Sequence, residues 1–172
     1  MSIKKIFAGL SVAVIALVMV PDAWSATQSV TANIRFDTPL NLNKTADIDF
    51  KSVTAGQANT YTISPTGTTS VSGGGSGAFL FGTPNAASIT ISGSTTQTLN
   101  ISAAGYTANN GVTPANATCK YGAAAAGSCT IPAGAAPGAS TVLLVGADAV
   151  VDGTQAGGTT AAPTFTLTIV YN

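Results

Sequence analysis

Thr164-Phe165-Thr166-Leu167-Thr168-Ile169-Val170-Tyr171, near the C-terminus, is the stretch that decides the fold. Phe165, Leu167, Ile169 and Tyr171 alternate with Thr164, Thr166 and Thr168, so one face is apolar and the other carries hydroxyls. A period of two marks a half-buried β-strand, because successive side chains leave an extended backbone on opposite sides. The same alternation predicts a strand over residues 29–36, with Val30, Ala32, Ile34 and Phe36 on one face and Thr31, Asn33 and Arg35 on the other. Both ends of the chain therefore read as strands.

Between them the pattern repeats in short units. Leu40 and Leu42 resume the alternation after Pro39, and Ile48, Phe50 and Val53 mark a strand before Gly56. Tyr61 and Ile63 lead into the turn Pro65-Thr66-Gly67, and residues 69–72 return as a hairpin partner. Gly73-Gly74-Gly75-Ser76-Gly77 reads as a flexible connector that cannot be strand interior. Phe79 to Phe81 follows, then a turn at Gly82-Thr83-Pro84-Asn85. Ile89-Thr90-Ile91 starts a second hairpin that closes through Gly93-Ser94 onto Leu99 and Ile101. Residues 104–139 are rich in Ala, Gly and Pro and predict loops with short strands about Cys119 and Cys129. The glycines and prolines crowding Ala123–Ala126 exclude a stable helix there. Val142–Val145 and Ala147–Val151 predict two further strands, with Gly146 a bulge or bend between them. About nine or ten short strands separated by Gly and Pro turns imply an all-β, immunoglobulin-like β-sandwich.

The N-terminus has a different grammar. Lys4 and Lys5 precede an apolar run from Ile6 to Val20, then Pro21 and Ala23-Trp24-Ser25, the layout of a secretory signal. The run of about 15 residues is short against the roughly 20 that span a bilayer. Residues 1–25 are expected to be cleaved, since cleavage after Ser25 puts small residues, Ala23 and Ser25, where the peptidase requires them. This leaves residues 26–172 as one domain with no membrane segment in its mature form. The expected location is secreted or at the cell surface, reached through the periplasm.

Composition narrows the chemistry. The mature charges are Arg35, Lys44, Lys51 and Lys120 against Asp37, Asp47, Asp49, Asp148 and Asp152, so no basic patch exists and nucleic acid is not an expected partner. Histidine and glutamate are absent, which removes Ser-His and Cys-His units and leaves the aspartates with no pairing signal; an enzyme is not expected. Gly73-x-Gly75-x-x-Ala78 fits a dinucleotide fingerprint in letters, but Phe79-Leu80-Phe81 follows it instead of a helix, so no cofactor is expected. Asp47-x-Asp49 and the pair Asp148, Asp152 offer fewer carboxylates than a calcium loop uses and read as solvated turn residues. Cys119 and Cys129, the only cysteines, are expected to be joined as a structural clip in an oxidising compartment.

From Leu42 onward the chain resembles a family of small secreted bacterial β-proteins known only as a domain of unknown function. The residues that carry the resemblance are Lys44-Thr45-Ala46-Asp47-Ile48-Asp49-Phe50, the Gly56–Gly74 hairpin, Gly82-Thr83-Pro84, Ile89 to Ile101 and the ending Phe165 to Asn172. Both termini also resemble those of chaperone-usher pilins, including the α-fimbrial branch. That resemblance implies an incomplete sandwich, with residues 26–36 as a donor strand through Val30, Ala32, Ile34 and Phe36. Phe165, Leu167, Ile169 and Tyr171 would lie on the strand at the groove edge. It further implies other copies of the chain, a periplasmic chaperone and an outer-membrane usher as partners. The late disulfide departs from pilins, whose crosslink usually ties early strands together.

The expected function is a structural subunit of a bacterial surface filament or matrix, assembled by β-strand addition. The alternative is a self-contained secreted binding module, lectin-like or adhesive, that does not assemble. The leader carries its own test: N-terminal sequencing of exported protein is expected to begin at Ala26, whereas retention of Lys4 and Lys5 would make the segment an anchor.

Overall fold

The computed structural model describes residues 28–172; residues 1–25, expected to be a cleaved signal, and the following Ala26 and Thr27 lie outside the described residues. The chain divides between Arg35 and Phe36 into two units. Residues 28–35 carry no strand, and neither do residues 36–39 at the start of the second unit. The strand expected over residues 29–36 is thus not formed. Alternation supplies a strand's faces, but its backbone also needs a paired neighbour.

The second unit is all-β. Its twelve strands are β1 (Asn41–Ala46), β2 (Ser52–Val53), β3 (Ala58–Ile63), β4 (Thr69–Gly73), β5 (Phe79–Phe81), β6 (Ala87–Ser92), β7 (Leu99–Thr107), β8 (Val112–Tyr121), β9 (Gly127–Ser128), β10 (Thr130–Gly134), β11 (Thr141–Asp152) and β12 (Thr164–Tyr171). All the strand pairs are antiparallel. The large sheet is built around β11. One edge of β11 pairs with β8; along the other, residues 141–145 pair with β6 and residues 147–152 with β3. β1 extends the sheet beyond β6, and β4 extends it beyond β3. A second sheet has the order β10-β7-β12, and β2 with β5 makes a two-stranded third.

The sheets pack face to face. Ile91, Cys119, Leu143 and Val145 of the large sheet meet Leu99, Ile101 and Ile169 of the second in one buried cluster. A smaller cluster of Tyr61, Val112, Ala149 and Val151 is closed by Phe50, Val53 and Phe79 around the two-stranded sheet. The expected sandwich is present, with more strands than the nine or ten anticipated. Cys119 and Cys129 form the expected disulfide, both sulfurs in the core. Closing so short a loop stabilises the fold by about 3 kcal/mol in the chain-entropy picture.

Three expectations are corrected. Ile89–Ile91 and Leu99–Ile101 are not hairpin partners: β6 belongs to the large sheet and β7 to the second. Gly93–Thr98 is a corner between layers, organised by the buried Ser94, whose Oγ accepts hydrogen bonds from the backbone N–H of Thr96 and Gln97. The stretch 104–139 is largely strand. In β8 the register against β11 slips between Gly146 and Asp148, and Asn116, at φ 48°, sits in the slip. Buried residues fall at Val112 and Pro114 before it and at Ala117, Cys119 and Tyr121 after it, so the change of phase hides the strand from a period-two reading. Last, β11 is one continuous strand with the bulge in its partner. Gly146 marks the point where β6 ends as a neighbour and β3 begins, and a Cβ there would overlap the carbonyl oxygen of Ile63 and the backbone of Ser64 and Pro65.

Glycine-to-alanine changes at tolerant sites are usually neutral or mildly stabilising. Gly146→Ala is expected to cost about 2–3 kcal/mol in a denaturant titration, through overpacking against backbone that cannot rotate away. Gly127→Ala, where a Cβ meets nothing within 4 Å, is expected to change stability by less than about 1 kcal/mol.

Candidate functional site

Among the described residues, acidic and cysteine side chains do not gather into a cluster of three or more that could hold a metal ion. Asp47 pairs with Lys44 at 2.6 Å and Asp49 with Lys51 at 2.6 Å. Asp148 accepts hydrogen bonds from Thr62 Oγ1 and Asn116 Nδ2, which brace the bulge of β8 from outside. Asp152 accepts from the Thr154 backbone and hydroxyl and from Gln155. The Lys51 ammonium and backbone N–H hold the Asp49 carboxyl below the ordinary 3.8, and the Thr154 backbone N–H leads in lowering Asp152. What these two carboxylates lend to stability is therefore present above pH 3.8 and is lost as the pH falls below it through their folded-state values. The Gly73–Ala78 run leads into β5 and not into a helix.

The feature with functional content is an open edge. In the upper half of the sandwich four strands of the large sheet, β1, β6, β11 and β8, face three of the second, β12, β7 and β10. The disulfide and the bond from Tyr121 Oη to the Ala135 carbonyl fix β10 against the β8 side. The bond from Tyr171 Oη to the Thr38 carbonyl, 2.9 Å, fixes the end of β12 against the approach to β1. The second sheet therefore has β10 as its edge on the β8 side and β12 as its edge on the β1 side.

Burial agrees with that arrangement. Leu42 pairs in register with Ile91, so the two share the inner face, yet Ile91 is fully buried while Leu42 remains 46 % exposed. On β12, Phe165, Leu167, Ile169 and Tyr171 all point inward as expected, but only Ile169 is buried and the other three are half-buried. β12 pairs with β7 along one edge, and its other edge has no strand partner among the described residues. At its far end a bulge in β7, carried by Gly105 at φ 66°, brings Tyr106 onto the inner face, where its ring stacks on Phe165 at 5.5 Å.

The residues expected to act as a donor, Val30, Ala32, Ile34 and Phe36, are all exposed, Val30 to 89 %, Ile34 to 76 % and Phe36 to 86 %. Sequence reasoning missed the use made of the Tyr171 hydroxyl. It accepts a 2.7 Å hydrogen bond from the Ser94 backbone N–H and donates to Thr38, so a single side chain joins the layer-crossing corner, β12 and the entry to β1. Gly93 is required for this approach, because a Cβ there would overlap the hydroxyl. An aromatic at the penultimate position is the only trace of the clamp in the sequence.

Residues 40–171 match the family model described as Domain of unknown function (DUF4402). No curated protein and no solved structure matches the chain.

Tyr171→Phe keeps the ring and deletes both hydrogen bonds. It is expected to lower stability by about 1–3 kcal/mol, since the Ser94 N–H loses its partner, and to speed hydrogen exchange at Ser94 as read by NMR.

Proposed function

We propose a function for this chain, which belongs to the Domain of unknown function (DUF4402) family, from the physics of its open edge. The protein is an exported structural subunit of a bacterial surface filament or extracellular matrix, and it assembles by β-strand addition between copies. A single observation carries this: a segment with strand alternation, Val30–Phe36, stands exposed and forms no strand, in a chain whose β12 edge has no strand partner among the described residues.

An edge strand offers a row of unpaired N–H and C=O groups, and an added strand satisfies them while its alternate side chains fill the space behind. A strand added beside β12 would lie over Leu42 and against Phe165 and Leu167. Val30, Ile34 and Phe36 have the spacing to enter that space, with Ala32 where little room is needed. Full burial stabilises by about 1.5–3 kcal/mol for each large apolar side chain. The contact uses one surface to give and another to receive, so it does not close on itself and propagates as a fibre. A periplasmic chaperone that covers the edge before assembly and an outer-membrane usher that exchanges it are the partners this route would use.

Size-exclusion chromatography of mature protein tests the proposal. Wild type is expected to form a concentration-dependent ladder of oligomers. Deletion of residues 26–36 is expected to leave a chain that does not assemble but accepts a synthetic peptide of that segment. Ile34→Asp, which puts a carboxylate into the apolar space, is expected to stop donation without unfolding the sandwich. A wild type that stays monomeric on prolonged incubation, with a truncation that ignores the peptide, would overturn the proposal in favour of a self-contained binding module.

A further inference from the structure

Asn59 lies on β3 in line with Tyr61 and Ile63, an inward position, and is only 3 % exposed. Neither its Nδ2 nor its Oδ1 has a hydrogen-bond partner. Leaving both halves of a carboxamide unpaired in a protein interior is costly, and native structures rarely do so without a use for the group.

The amide is covered by the glycine run. A Cβ on Gly77 would overlap Asn59 Nδ2 and come within 2.7 Å of the Tyr61 hydroxyl. One on Gly75 would lie 2.9 Å from Asn59 Nδ2 and 2.9 Å from Gln57 Oε1. The absence of side chains at Gly75 and Gly77 is thus what lets residues 73–77 rest on three polar side chains. The Ser76 backbone N–H donates to Gln57 Oε1 at 3.1 Å and ties the strap down. Beyond Gly77 the chain is anchored to Thr54, whose backbone N–H donates to the Ala78 carbonyl and whose Oγ1 accepts from the Ala78 N–H, both at 3.0 Å, so the glycines can lift without disturbing β5.

We propose that residues 73–77 form a glycine strap over a recognition site for a neutral carbohydrate, with Asn59, Gln57 and Tyr61 as its polar groups. Two amides and a phenol both donate and accept, which matches vicinal hydroxyls, whose oxygens also do both. The atoms nearest Gly73, Gly75 and Gly77 belong to Gln57, Ala58, Asn59 and Tyr61, all uncharged, which favours a neutral ligand over an ionic one. Along the same short strand, Phe79 packs edge-on to Tyr61 at 5.4 Å, and Phe81 stands 76 % exposed two residues on. Such rings suit the C–H face of a sugar. The site lies at the β3–β5 end of the fold and is independent of strand addition at β12.

The test is an NMR titration of the protein with neutral saccharides, methyl mannoside, lactose and N-acetylglucosamine, each to about 10 mM, enough to reveal millimolar binding. The expected result is a saturable shift of the Asn59 side-chain NH2 and the Ser76 N–H with at least one sugar. Asn59→Leu, which removes the unpaired amide at similar volume, is expected to weaken that binding about tenfold or more while the remaining spectrum is kept. Gly77→Ala pushes the strap outward and is expected to tighten binding several-fold, a gain that damage to the fold would not produce. No shift with any of the sugars, a shift that survives Asn59→Leu, or a shift with a neutral extended peptide in place of the sugars would each overturn the proposal.

Discussion

The double pairing of β11 is the constraint on which the fold depends. Its odd-numbered residues from Leu143 to Val151 are buried, and each of its edges is occupied by other strands. A strand with neighbours on both sides has no choice of register, because a slip of one residue would carry its whole apolar set to the solvent face. β8 meets this demand by bulging at Asn116, β6 and β3 meet it by sharing one edge, and Gly146 lets the end of β3 approach closely. Both core clusters take their central residues from this strand.

With only 7% charged residues in the chain, the surface is wetted mainly by hydroxyls and amides. The outward positions of β12 are Thr164, Thr166, Thr168 and Val170, all exposed. Threonine suits this role, since its branched carbon favours the extended backbone and its hydroxyl replaces a charge. The same economy leaves the open edge without the lysines that many proteins place on a free edge strand to repel a second chain. The edge at β12 is thus permissive toward pairing, and that is the physical ground for reading it as an acceptor.

Much of this was legible in the sequence where alternation was clean. β12, the β3–β4 hairpin, the disulfide and the all-β class follow from residue patterns and redox logic. What was missed has specific causes. The hairpin mistakenly expected across Gly93-Ser94 shows that alternation cannot tell a return within one sheet from a crossing between two. β8 was obscured by small side chains and by a phase change at Asn116. The strand expected over residues 29–36 has the pattern and not the pairing. Asn59 carried a faint signal, a polar residue at an inward position two before Tyr61, but its isolation becomes visible only once the glycine strap is in place.

The clip between Cys119 and Cys129 has a consequence for the order of events as the chain matures. Most pairings here join segments far apart in the chain, such as Leu42 with Ile91 or Ile63 with Ala147, and they must wait for slow loop closure. The two cysteines, ten residues apart, flank a tight reversal in which Thr118 pairs with Ser128 and Cys119 with Gly127. That reversal can be crosslinked as soon as both thiols reach an oxidant, before β11 or β12 is in position. The chain then carries a covalently closed hairpin into collapse, with Ala117, Cys119 and Tyr121 already set along one side for the sheet to form against.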